Sequence, residues 1–251
     1  MSTWAKTRAR HLAVIQSVEA EPLPDALHLT KNSKTGCSVD FPVHTTCCPT
    51  RVCMGSGDNS ARCYALGGFM NFPNAVRQHA LNQRLVDSLI DASPRTVKAV
   101  ADRLWAQIPR GRNWLRWNGA GDLSPGACKV INALTRDHPD LLIWAISRRP
   151  DMIRLLADRA ALRLLLSLDH STPPATAQKL RSFKSKFKRA TVRFSYTRVS
   201  EEDKPPGDVA VVFNKHVGPT FNAWAHRKVC PASLPDTEHE GACDPCRRCF
   251  K

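Results

Sequence analysis

Apolar residues recur at the spacing of one helical face between residues 76 and 90: Val76, Leu81, Leu85, Val86, Leu89 and Ile90. Ser93-Pro94 is a cap followed by a first-turn proline, and it predicts a second helix from about Pro94 to Gln107 with Val97, Val100, Leu104 and Trp105 turned inward. After residue 113 the pattern changes to short continuous apolar runs. Trp114–Asn118, Leu141–Ile146, Leu162–Leu168, Thr191–Tyr196 and Val209–Phe213 read as strands. Helical stretches separate most of them: Pro125–Arg136, Asp151–Arg159 and a segment beginning near Pro174. Strands apolar on both faces and alternating with helices predict an α/β protein with a parallel sheet covered by helices. Right-handed crossovers would curl such a sheet into an open or closed barrel. Upstream, residues 1–35 read as an N-terminal segment with a short strand at Leu27–Leu29, and residues 36–72 as a loop rich in Cys, Gly, Pro and Thr.

This architecture carries function where its strands end. The polar residues there are Asn118 and Asp122, Ser147 and Arg148, Asp169 and His170, Tyr196 and Arg198, and Asn214 and Lys215. Any one of them is accounted for by capping a helix. All five predicted strands ending this way is less expected from capping alone.

Charge adds a partner. The 251 residues hold 37 Lys and Arg against 22 Asp and Glu, a formal net charge of +15. That excess suits a polyanion, nucleic acid first, and equally suits a solubility surface. Lys179–Arg189 (KLRSFKSKFKR) has six basic residues around Phe183 and Phe187 and could hold phosphates beside the barrel mouth. The plainer reading is a solvated helix face with two buried phenyl rings. No run of about 18 apolar residues occurs, so no membrane span is expected. The basic start, Met1–Gln16, has too short an apolar stretch for a secretory signal, so a reducing cytoplasm is expected.

In that compartment ten cysteines point to metal rather than disulfides. The run TCCPTRVCMGSGDNSARCYA offers Cys48, Cys53 and Cys63 as ligands, with Cys47 a possible substitute for Cys48 and Cys37 a possible fourth. Three thiolates on an iron–sulfur cluster leave one iron open to chelate a small molecule. Gly55, Gly57, Gly67 and Gly68 would let the loop wrap closely. Cys230, Cys243, Cys246 and Cys249 make a second, four-thiolate set that suits zinc or a four-iron cluster. Cys128 reads as a small core residue, and His44, His79, His216, His226 and His239 lack clear ligand spacing.

The pieces TCCP…C…CYA, WNGAGDLSP, IWAISRRP and CP…CxxCxxC resemble the phage gene-product-88 family, which looks distantly related to radical S-adenosylmethionine enzymes. The resemblance covers about residues 28–250. It implies a partial (β/α) barrel over residues 36–218, an N-terminal three-Cys 4Fe-4S cluster, and an auxiliary cluster or zinc in a cysteine-rich module at 219–251. The Cys48-x4-Cys53-x9-Cys63 spacing departs from the usual CxxxCxxC. In such enzymes S-adenosylmethionine binds the open iron and yields a deoxyadenosyl radical. The resemblance implies that Gly67, Gly68 and Ser147 approach this cosubstrate, and that Asn118, Asp122, Arg148 and Tyr196 serve the reaction. Tyr64, Trp117, Trp144 and Tyr196 are candidates to stack on a base. The implied activity is radical rearrangement of an amino-acid adduct on thymine in phage DNA hypermodification, with flavodoxin or ferredoxin as electron donor. A non-catalytic zinc protein that binds nucleic acid, and a radical enzyme acting on a peptide or metabolite, are the competing expectations.

Overall fold

The computed structural model describes residues 3–32, 36–54, 63, 68–198 and 203–214. An N-terminal helix α1 (Thr3–Ser17) leads to a hairpin of β1 (Thr30–Asn32) and β2 (Gly36–Val39). Two single-turn helices follow, α2 (Val43–Thr46) and α3 (Arg51–Met54), then a 3-10 turn at Gly68–Asn71. Helices α4 (Pro73–Ser88) and α5 (Pro94–Gln107) precede the alternating part. That part runs β3 (Trp114–Trp117), α6 (Pro125–Asp137), β4 (Leu142–Ser147), α7 (Pro150–Ile153), β5 (Leu162–Asp169), α8 (Pro174–Lys186), β6 (Thr191–Arg198) and β7 (Val211–Asn214).

The strands form one seven-stranded sheet in sequential order, β1 to β7. Among the described residues only the β1–β2 pairing is antiparallel; every later pair is parallel. Among the described residues β1 and β7 are edges, so the sheet is open. Alternation along the strands divides its two faces. Leu115, Trp117, Ile143, Ala145, Leu164, Leu166, Phe194 and Tyr196 share one core with α4, α5, α6 and α8. Trp114, Trp144 and Leu165 form a separate cluster on the other face. The expected parallel sheet with helices is therefore present.

Local signals explain the boundaries. Ser93 Oγ accepts the Thr96 amide at 3.2 Å and caps α5, with Pro94 at its first position. Helix α7 stops at Ile153, well short of the expected Arg159. Its apolar residues do recur at helical spacing, but the Asn132 amide takes the Leu155 carbonyl at 2.9 Å and the Ala157 amide at 2.8 Å and diverts the chain. The stretch expected as a loop at 36–72 holds β2, α2 and α3, each four residues long. The strand expected at Leu27–Leu29 starts instead at Thr30. Where α6 begins, Gly126 lies against α4: a Cβ there would sit 1.7 Å from the Val86 carbonyl oxygen.

Candidate functional site

The chain between β2 and α3 folds over the ends of β3, β4 and β5. Asp40 begins this path. Its carboxylate accepts from Ser38 Oγ at 2.9 Å and from the Ala120 amide at 2.9 Å. Thr46 Oγ1 then accepts the Asp122 amide at 2.9 Å, which fixes α2 to the turn after β3. That turn requires left-handed backbone at Asn118 (φ 62°) and Gly121 (φ 80°). Asparagine tolerates this conformation better than most residues. Asn118 Nδ2 donates to the Ile146 carbonyl at 3.0 Å, so the β3 and β4 ends are tied together.

Asp122 is buried at the centre. Ser147 Oγ donates to it at 2.6 Å, and the Leu123 and Arg148 amides at 2.7 and 3.4 Å. Burial nonetheless outweighs these bonds and pushes its carboxyl up. Arg148 pairs with Asp169 at 2.7 Å, with the Asp169 side chain fully buried and that of Arg148 only 14% exposed. The same guanidinium reaches Thr50 Oγ1 and Ser167 Oγ, both at 3.1 Å. Thr50 links this pair to the cysteine loop, lying 2.7 Å from Asp169 Oδ2 and 3.5 Å from Cys53 Sγ. Ser171 adds a second link, donating to Asp169 at 2.8 Å and accepting the Val52 amide at 3.3 Å. Burial alone would raise the Asp169 carboxyl, but Arg148 and the surrounding hydroxyls hold it below its ordinary value. Arg149 completes the seam by donating to the Thr46 and Leu123 carbonyls at 3.3 and 3.2 Å.

Cys47, rather than Cys48, is the inward member of the vicinal pair. It packs with Cys63 and Met70 against Val43 and Ala120. Burial raises its thiol well above the ordinary range, and Asp122, Cys63 and Cys53 add to the effect. Cys48 is exposed. Cys37 belongs to the helix-side core, away from this group. Cys128 is buried, as expected for a small core residue, with its thiol pushed up to about 12 by burial. Among the described residues, no set of three or more His, Cys, Asp or Glu side chains is spaced to hold a metal ion.

Four expected site residues, Asn118, Asp122, Ser147 and Arg148, thus share one mouth. Tyr196 does not join them. Alternation turns it to the helix side, where its hydroxyl donates to Asp203 Oδ1 at 2.5 Å. Trp117 and Trp144 are buried, Trp144 beneath the Arg116 guanidinium at 4.9 Å, so neither offers a face for stacking. Gly68 opens the 3-10 turn. Tyr64, Gly55, Gly57, Gly67, Lys215, Cys230, Cys243, Cys246 and Cys249 lie outside the described residues. The residues not foreseen include Thr46 and Thr50, whose partners lie 76 and 119 positions away and leave no local signal.

The basic segment is not beside this mouth. Helix α8 starts near the end of β5 and returns to the start of β6, so its basic last turn, Lys184 and Lys186, lies at the opposite end of the sheet. Its thirteen residues separate the two ends by about 20 Å. Phe183 and Phe187 are buried in the core, as the plainer reading expected.

A family model described as gene product 88 matches residues 6–251. The chain belongs to the gene product 88 family. The matched span includes every residue of the mouth and both cysteine sets. No curated protein and no solved structure matches the chain. Among the described residues, no helix of this family member is long and apolar enough to cross a membrane.

Proposed function

We propose that this member of the gene product 88 family is an iron–sulfur enzyme of radical S-adenosylmethionine type that modifies a nucleobase, as in phage thymidine hypermodification. The observation that carries the reading is the company of Cys47: a partly buried thiol packed with Cys63 beside Val43 and Ala120, within electrostatic reach of Cys53 and Asp122 near the ends of consecutive parallel strands. A thiol disfavoured as thiolate in such surroundings is stabilised in that form by a bound cation, and soft thiolates suit iron–sulfur clusters. The donor type suits such a cluster, with Cys47, Cys53 and Cys63 as the proposed ligands, but the described residues do not set the three thiols at metal-holding spacing, so binding must draw them together. A three-thiolate cluster supplies an open iron and one-electron chemistry.

This chain's own residues supply the surroundings. Arg148 is buried against Asp169 and Thr50 and keeps a fixed positive charge beside Cys53. Ser147 orients Asp122. The Asn118 amide oxygen is buried and has no hydrogen-bond partner among the described residues, so it is available to an N–H of a ligand at the mouth. Cys230, Cys243, Cys246 and Cys249 would hold a second cluster or zinc, and a flavodoxin or ferredoxin would supply the electron.

The test is product analysis. Reduced protein with S-adenosylmethionine should release 5′-deoxyadenosine, and release should rise with DNA bearing an amino-acid adduct on thymine. Colourless protein that holds only zinc and releases no deoxyadenosine would replace this reading with a non-catalytic nucleic-acid-binding role. Deoxyadenosine release that responds to a peptide and not to DNA would move the substrate class.

A further inference from the structure

The sheet end opposite the cysteines carries a built basic surface. Two loops meet there, the one entering β5 and the one entering β6. Asp158 joins them: its carboxylate accepts the amides of Lys188, Arg189 and Ala190 at 2.7, 2.9 and 2.8 Å. The carboxylate between the two loops is thus committed to backbone. Around it stand Arg159 from the first loop and Arg163 at the start of β5, Lys184 and Lys186 from the last turn of α8, and Lys188 and Arg189 from the second loop. The three lysines and Arg189 are exposed, and among the described residues no carboxylate forms an ion pair with any of the four, although Asp158 and Asp208 lie within electrostatic reach of Arg189 and Lys184. Arg193 extends the group on the neighbouring strand, where it and the partly buried Arg163 repel one another.

Packing forces this display. Phe183 and Phe187 are buried in the main core, so the residues between and beside them turn outward. Between the charges the exposed positions are small, Ser185 and Ala160. Closely set cations without intervening apolar groups match the regular charges of a phosphate backbone.

We infer that this strand-start end of the sheet is a sequence-independent docking surface for the phosphate backbone of nucleic acid, about 20 Å from the cysteine mouth. It rests on the nucleic-acid part of the proposed function for its occupant, and on none of the cluster chemistry. Affinity and reaction are then separate. The backbone held at this surface is not the stretch whose base reaches Arg148 and Asp122. A segment further along the same nucleic acid does so. Contacts of this kind hold the protein near its polymer without selecting a base.

The experiment measures binding of the full chain to a random-sequence DNA duplex by fluorescence anisotropy, across about 50 to 200 mM salt. Compared are the native chain, K184E/K186E/K188E, K184R/K186R/K188R and Cys47→Ala. The reversal should weaken binding at least about tenfold at low salt and flatten the log–log salt slope by about 2 to 3, the share of three phosphate contacts. The arginine variant should bind within about twofold of the native chain, because charge and not lysine is required. Cys47→Ala should bind like the native chain, since the mouth is at the other end. Unchanged affinity and slope in the reversal would overturn the inference. So would absence of salt-dependent binding in the native chain, or loss of binding in Cys47→Ala. Persistent binding by protein that never takes up iron would defeat the enzyme reading and leave this surface standing.

Discussion

The two ends of the sheet treat charge in opposite ways. Where the strands finish, Asp122, Arg148 and Asp169 are buried, and each is held by two or more hydrogen bonds. Where β5 and β6 start, the lysines and Arg189 stand exposed, without ion pairs among the described residues, and Asp158 serves backbone. One end resists any change in its partners, because a buried charge left alone is costly. The other tolerates change in the fold while depending on charge for what it binds. Stability and polyanion affinity should therefore respond to different substitutions.

The largest stability effect is expected from Asp169→Ala. It strands the Arg148 guanidinium, whose partner lies 2.7 Å away, and should cost about 3 to 5 kcal/mol in urea unfolding. A loss below about 1 kcal/mol would mean that water screens the pair as it does on a surface. Gly126→Ala comes next. Its Cβ would meet the Val86 carbonyl at 1.7 Å, so α6 must shift from α4, at a cost of about 1 to 3 kcal/mol. An unchanged unfolding midpoint would show that the two helices separate freely.

The pH dependence of the same end carries two opposite signs. Asp169 is held below its ordinary value, so its stabilisation is present above about pH 4 and lost as pH falls through its folded value. The stability gap between the native chain and Asp169→Asn should therefore narrow on acidification. Asp122 is raised, so its burial penalty is present when ionised and relieved as pH falls. Asp122→Asn should thus compare best with the native chain near neutrality and lose that advantage in acid. Denaturation curves from neutral pH downward distinguish the two, and parallel curves for both variants would refute the assignment. The smallest effect belongs to the basic end: Lys188→Ala should change stability by no more than about 0.5 kcal/mol. A larger change would show that the surface is part of the fold.

The sequence carried the sheet unevenly. Strands β3 to β6 were legible because apolar residues fill β4 and recur at every second position along β5 and β6, and helices punctuate them. Strand β2 was hidden, since four residues ending beside Asp40 show no period, and its pairing with β3 is set by residues some 78 positions later. Asn118, Asp122, Ser147 and Arg148 were legible from the single rule that function sits past strand ends. The same rule misdirected for Tyr196, which lies within β6 at a position whose alternation follows Val192 and Phe194 to the helix side. The basic run was legible as a run, but its place depended on helix direction, which residue content does not state. Thr50 could not be read at all, because its role exists only once the loop has folded onto Asp169. The choice between adjacent Cys47 and Cys48 likewise turns on which thiol faces inward, a matter of tertiary packing.

The choice between the two adjacent thiols is open to direct measurement. The deciding measurement is iron and acid-labile sulfide content after anaerobic reconstitution of the native chain, Cys47→Ala and Cys48→Ala. The native chain should hold about eight irons if both cysteine sets bind four-iron clusters, and about four if the last set binds zinc. Cys47→Ala should lose about four of them, while Cys48→Ala keeps the native content. Iron-free native protein, or loss in Cys48→Ala with Cys47→Ala intact, would contradict a centre built on Cys47, Cys53 and Cys63.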